Sequence, residues 1–195
     1  LSFDMNGHGT APEKQTVYFG AKAAAPSQPS QSGYTFGGWY DNSACTGTAV
    51  NFDSWTMPAG NTVLYAKWTE NTVTYNYSSN DASMGSVSLA DETVAVYTGS
   101  PSGSAAAAKT GYRFVEWTDE NNNQVSDDEA FVPAKSGGVY TGGSFRAVFE
   151  AKTCRVTFDT AGGQSVSGQN VTYGKAYGTL PLPVNLITDL PLELS

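Results

Sequence analysis

Gly33-Tyr34-Thr35-Phe36-Gly37-Gly38-Trp39 is echoed by Gly111-Tyr112-Arg113-Phe114-Val115-Glu116-Trp117, 78 residues further along (33 to 111). A glycine, a tyrosine, a phenylalanine and a tryptophan keep the same spacing in both. Self-similarity at that distance marks a chain of small repeats rather than one large domain. The likeness extends outward. Leu1-Ser2-Phe3-Asp4 recurs as Val73-Thr74-Tyr75-Asn76 and again as Val156-Thr157-Phe158-Asp159. Met57-Pro58-Ala59 matches Val132-Pro133-Ala134, and Leu64-Tyr65-Ala66-Lys67-Trp68 matches Phe145-Arg146-Ala147-Val148-Phe149. The offsets drift only across Gly/Ser/Asn-rich stretches, where loops absorb insertions.

The matched segments alternate. Leu64, Ala66 and Trp68 share one face, against Val63, Tyr65 and Lys67 on the other. Phe145, Ala147 and Phe149 do the same against Ser144, Arg146 and Val148, as do Leu1, Phe3 and Met5 against Ser2 and Asp4. Period two with a polar counter-face predicts half-buried strands. Phe36 and Trp39 stand an odd number of residues apart and cannot both face inward on a regular strand, so a bulge at Gly37-Gly38 is expected. The Ala-rich runs 21–25 and 105–108 precede each Gly-Tyr and are too short for stable helices. A single helical turn and an extended crossover both fit, and a short crossover packed under the sheet is the preferred reading. The expected organisation is a module over 1–69, a divergent module over 70–152, and a partial module over 153–195. Residues 69–72 and 150–153 serve as short linkers in this reading. The third copy begins well but lacks the later Gly-aromatic-x-Phe-x-x-Trp segment, and Asn185 to Ser195 match nothing. Residues 154–183 are therefore expected to need support from that tail, the preceding module or a neighbouring copy.

Composition narrows the partners. The 195 residues are 39% hydrophobic and 12% aromatic, enough to build cores. Eighteen acidic against ten basic residues give a net charge of -8, which repels phosphate backbones and argues against nucleic acid. No Lys/Arg cluster offers a hold on an anionic membrane, and no apolar run is long enough for a spanning helix, so membrane insertion is not expected. Leu1 is not an initiator Met and already lies in a strand-like run, so the chain reads as an excised piece whose targeting signals lie elsewhere. The only cysteines, Cys45 and Cys154, fall in different modules and are expected to be free thiols.

Gly33-Tyr34-Thr35-Phe36-Gly37-Gly38-Trp39-Tyr40-Asp41 followed by Leu64-Tyr65-Ala66-Lys67-Trp68 resembles the Listeria–Bacteroides repeat, the internalin B-repeat type of module. The resemblance covers residues 1–68 strongly and 72–149 more loosely, with Glu116 where the family usually has Gly. It covers 155–183 as a half-module, through Phe158-Asp159, Gly162-Gly163, Tyr173-Gly174 and Leu180-Pro181-x-Pro183. It implies a mainly β fold of tandem small β-grasp-like modules, with at most a short helical turn each. It also implies an extracellular place on bacterial surface proteins, with no catalytic residues and no cofactor.

Candidate sites are few. The single histidine, His8, lies in a turn and is expected to be solvent-exposed, and neither it nor Cys45 has a second catalytic group in the sequence pattern. Asp119-Glu120-Asn121-Asn122-Asn123 with Asp127-Asp128-Glu129 has oxygen ligands but Gln124 and Ala130 where a calcium loop wants Gly and Glu, so a hairpin turn is the preferred reading and no metal is expected. Tyr34, Phe36, Trp39, Tyr112, Phe114 and Trp117 could form a carbohydrate-stacking platform, but a residue needed in every copy more often serves that copy's core. Tyr18, Tyr40 and Tyr65 fall on exposed faces and are the candidate partner surface. The leading functional expectation is a non-catalytic stalk or spacer. The alternative is a module that contacts host glycans or proteins. The chain is expected to be monomeric, with the incomplete third module as its route to self-association.

Overall fold

The computed structural model describes residues 1–180, and no helix occurs among them. Thirteen strands follow in order: β1 (Ser2–Asp4), β2 (Tyr34–Tyr40), β3 (Val63–Glu70), β4 (Thr72–Ser79), β5 (Gly85–Val87), β6 (Asp91–Ala95), β7 (Ser104–Ala108), β8 (Tyr112–Thr118), β9 (Gln124–Ser126), β10 (Ala130–Phe131), β11 (Gly143–Ala151), β12 (Thr153–Val156) and β13 (Gln169–Thr172). The chain folds as two compact units. One comprises 1–74 with 93–102 and 133–142; the other comprises 75–92, 103–132 and 143 onward. Unit boundaries and repeat boundaries therefore differ, because two segments of the second repeat, 93–102 and 133–142, belong to the unit built on the first.

Both repeats place the closing strand between the opening strand, parallel to it, and the Gly-aromatic strand, antiparallel to it. In the first, β3 runs parallel to β1, with Phe3 opposite Leu64, and antiparallel to β2. In the second, β11 runs parallel to β4, with Tyr77 opposite Phe145, and antiparallel to β8. The closing strand thus has a neighbour on both sides, and its inward face is deeply buried at Leu64 and Ala66 and at Ala147 and Phe149. The first core joins Phe3, Met5, Trp39, Leu64 and Ala66, with Phe36, Phe52, Trp55 and Trp68 packed against it. The second is a net of aromatics: Trp117 on Tyr77 and Phe131, Phe131 on Phe145, and Phe114 on Phe149. The period-two pattern is the cause, since it puts one large apolar side chain inward every second residue.

The expected bulge is present. Phe36 pairs with Trp68 and Trp39 with Ala66, so Gly37 and Gly38 together face Lys67. That extra residue turns Phe36 and Trp39 to the same side. The second repeat repeats the device, with Phe114 opposite Phe149, Glu116 opposite Val148 and Trp117 opposite Ala147.

The Ala-rich segments form no helical turn, within the expected fold class of at most one short turn per module. Ala105 to Ala108 lie in β7, which pairs with β5 and β10 and buries Ser104 and Ala106. Residues 21–25 form neither helix nor strand; the Gln15 side-chain amide holds Ala24 instead, donating to its carbonyl (2.9 Å) and accepting its N–H (3.1 Å). Small side chains serve here for close approach, and the hydrogen bonds that a helical turn would use go elsewhere. The expected linkers are also largely strand: only Asn71 separates β3 from β4, and only Lys152 separates β11 from β12. The tail Asn185 to Ser195 and the Pro181-Leu182-Pro183 segment lie outside the described residues.

Candidate functional site

The residues with the most unusual surroundings lie where one repeat passes into the next. Gly33 opens β2 at φ +74°, a conformation that costs a side-chain-bearing residue energy. A Cβ there would lie 2.3 Å from the ring of Tyr97, a residue of the second repeat. The Tyr97 ring stacks on Tyr34 with centroids 5.5 Å apart, and its hydroxyl donates to the Ser32 carbonyl (2.9 Å). The backbone completes the joint: the Asn71 N–H donates to the Gly33 carbonyl (2.9 Å), and the Val96 N–H to the Asn71 carbonyl (3.0 Å). All of these groups belong to the first unit.

The second unit contains a joint of the same kind. Gly111 stands at φ +86°, and a Cβ there would lie 2.3 Å from the ring of Tyr173. Tyr173 packs edge-on against Tyr112 at 5.3 Å. The Lys152 N–H donates to the Gly111 carbonyl (2.8 Å), and the Tyr173 N–H to the Lys152 carbonyl (2.9 Å). In both, the Gly-Tyr pair forms a socket that a side chain would block, and the following repeat supplies the ring that fills it. The third copy contacts the second in this way, while the tail that was the other expected support lies outside the described residues.

The two joints differ in one residue of turn. Gly99 closes its turn onto Ala95, whereas Lys175 closes onto Thr172, one residue tighter. The longer turn carries extra backbone N–H groups, and Glu70 takes them up. Tyr97 and Thr98 both donate their N–H groups to its carboxylate, and the Thr98 hydroxyl adds a third bond (2.8 Å). Those donors, with the Thr98 N–H foremost, lower the Glu70 pKa below the ordinary 4.5. At the matching place in the second joint the residue is Ala151.

The residues singled out from sequence divide as follows. Trp39, Trp117, Phe36 and Phe114 belong to their repeats' cores. Tyr34 and Tyr112 do not: they are half-buried and packed on the next repeat's tyrosine, a role that reading them as each copy's own core overlooked. The signal was present in the recurring Phe19-Gly20 and Tyr173-Gly174 pairs, whose partner the pattern alone does not reveal. Of the candidate partner surface, Tyr18 is 84% exposed and Tyr65 half-buried. Tyr40 is only 7% exposed, not on an open face as expected: it lies on the side of the strand opposite Trp39, with the Lys67 ammonium over its ring at 5.2 Å. His8 is likewise half-buried, packed at a tilt against Tyr34 with ring centroids 4.2 Å apart rather than free in solvent.

Cys45 and Cys154 are free thiols, the first buried and the second exposed. The acidic loop is the turn of the β8–β9 hairpin, with Asn122 at φ +63°. The Asp119 carboxylate accepts the N–H groups of Asn121 (2.9 Å) and Asn123 (2.8 Å), and the Asn123 side chain pulls its pKa down most. No group of three or more metal-ligating side chains comes together among the described residues.

Two non-helical repeats, each with a parallel opening and closing strand and a glycine-seated joint, define a chain of tandem β-repeat modules. Residues 1–67 belong to the Listeria–Bacteroides repeat domain family, and residues 75–153 to the divergent InlB B-repeat domain family. Such repeats occur in surface proteins such as the internalins and are typically non-catalytic. A putative membrane protein of Evansella cellulosilytica is 30% identical over 184 residues, covering 94% of this chain and 26% of the relative. A putative Gly-rich membrane protein of the same organism is 28% identical over 90% of this chain and 21% of its own length. Internalin H of Listeria monocytogenes is 41% identical over 70 residues, which is 36% of this chain and 12% of internalin H. The chain thus spans about a quarter or less of each of these relatives. No solved structure matches it significantly. No helix among the described residues is long and apolar enough to cross a membrane.

Proposed function

We propose that this chain is a non-catalytic spacer of a bacterial surface protein, which holds other parts of that protein away from the cell. The observation that carries the reading is the recurrence of the joint. A single residue separates the strands of successive repeats, and at each passage a tyrosine seated on a glycine and two backbone hydrogen bonds hold the start of the following repeat within one compact unit. A freely jointed string of modules has no use for such a seat. The relatives named membrane proteins and internalin H support a surface location for the parent polypeptide.

A module that contacts host glycans or proteins is the second reading, and the 84% exposure of Tyr18 is what favours it. The two readings separate in one experiment. A fluorescent pair placed either side of Asn71 should give a narrow distance distribution that broadens in Tyr97→Ala, while the chain shows no saturable binding to host cells or glycan arrays. Saturable binding abolished by Tyr18→Ala would favour the second reading. A distribution already broad in the unmodified chain would overturn the first.

A further inference from the structure

The first repeat displays the inserting half of the same joint. Tyr18-Phe19-Gly20-Ala21 forms a turn in which the Ala21 N–H donates to the Tyr18 carbonyl (3.0 Å) and Gly20 stands at φ +78°. Thr172-Tyr173-Gly174-Lys175 makes the same turn, with the Lys175 N–H on the Thr172 carbonyl (3.0 Å) and Gly174 at φ +75°. Phe19 therefore stands where Tyr173 stands. The ladder beside the turn corresponds as well. Leu1 and Gln15 exchange both backbone hydrogen bonds (2.9 and 3.0 Å), and Val156 pairs with Gln169 in the third copy.

From that shared pair the two copies part. In the third copy the ladder continues through Arg155, Cys154 and Thr153 to Lys152, and Tyr173 closes on Gly111. In the first, Thr16 to Phe19 form no strand, and Phe19 is 79% exposed beside Tyr18, against 49% for the seated Tyr173. An open groove of about 730 Å³ runs past Gln15, Val17, Tyr18, Lys22 and Pro26 on this side. Two adjacent exposed aromatics on an edge already set at strand register are a surface shaped for a partner.

We propose that Thr16 to Gly20 are the docking edge for the end of a preceding repeat in the same polypeptide. Its closing strand would run on antiparallel to Thr16–Phe19 and into Leu1, and its Gly-aromatic pair would receive the Phe19 ring. Register selects this occupant: the strand that fills the edge leads directly into Leu1, with three residues between the joint residue and Leu1, as Thr153 to Arg155 lie between Lys152 and Val156. A strand from a separate molecule would have to stop short at the Leu1–Gln15 pair. The inference stands whether or not the repeats act as a spacer.

The test is a tandem protein in which a copy of residues 1–155 precedes the full chain, so that the copied Arg155 is followed by Leu1. With only the downstream copy isotope-labelled, amide exchange at Val17 and Phe19, the counterparts of Val171 and Tyr173, should slow at least tenfold relative to the unextended chain. Gly111→Ala in the upstream copy should reverse most of that protection while Trp39 and Trp117 keep their native signals. Equal exchange in the two proteins would overturn the proposal. So would protection that appears in the unextended chain as its concentration rises, because the occupant would then be a second molecule. Loss of the native tryptophan signals in the tandem protein would overturn it too, since an edge built for this junction accepts it without loss of fold.

Discussion

Between phenylalanine and tryptophan the first repeat has Gly37-Gly38 and the second has Val115-Glu116, yet both make the same bulge. Gly38 sits at φ +109°, where a Cβ would also approach Ala49 to 2.9 Å, whereas Glu116 is not among the residues with positive φ. The bulge needs an extra residue and not a glycine; the first repeat needs one because its backbone takes the left-handed route and Ala49 crowds it. The joints teach the complementary lesson. There the glycine is kept in both repeats, because the neighbouring tyrosine ring occupies the space a side chain would need. A repeat can thus diverge in how it bends its own strand while the seat for its neighbour stays fixed.

The largest effect that tests this comparison lies in the two cores. Trp39→Ala and Trp117→Ala should each cost about 3–5 kcal/mol, read by denaturant melting. A loss confined to one of them would break the equivalence of the repeats. Next comes the bulge: Gly38→Val should cost more than 2 kcal/mol, roughly the left-handed backbone penalty plus the clash with Ala49. Glu116→Val should change stability by less than about 0.5 kcal/mol, and equal costs at the two positions would show that the bulges share one backbone path. Tyr97→Ala should remove about 1–2 kcal/mol from the first unit, because a half-buried ring and its hydroxyl bond are lost.

Acid should separate the joints. The lowered Glu70 pKa means that its carboxylate holds Tyr97 and Thr98 fully at neutral pH and releases them only as the pH falls through that lowered value. The amide resonances of Tyr97 and Thr98 should shift with a midpoint below 4.5, and Glu70→Gln should abolish the shift. The joint at Tyr173, with Ala151 in place of the acid, should show no such transition. The smallest expected effect is that of calcium. Because backbone N–H groups already occupy the Asp119 carboxylate, millimolar calcium should leave the melting temperature unchanged; a rise reversed by chelator would make the hairpin turn a metal site.

Much of the fold was legible because period-two alternation is a direct physical consequence of strand geometry. Phe3, Met5, Leu64, Ala147 and Phe149 are buried where alternation puts them, and the odd Phe36–Trp39 spacing forces the bulge. What could not be read was partnership. An alanine run has too little side chain to declare whether it will pair with β5 and β10 or pack alone. Tyr40 and Tyr34 carry the same apolar signal, yet the first is covered by Lys67 while the second packs on the next repeat's tyrosine, and no local pattern distinguishes them. Gly33 reads from sequence as a turn glycine, and only the position of Tyr97 reveals the second reason for it.

Gly33→Ala tests the seat most directly, with amide exchange at Val96 to Thr98 and the Trp39 indole followed in the same sample. A seat for the following repeat predicts that exchange at Val96, Tyr97 and Thr98 rises at least tenfold while Trp39 keeps its buried signal. Unchanged exchange at those three residues, or a loosening of β1, β2 and β3 in step with Trp39, would contradict it and return the Gly-aromatic pair to its own repeat's core.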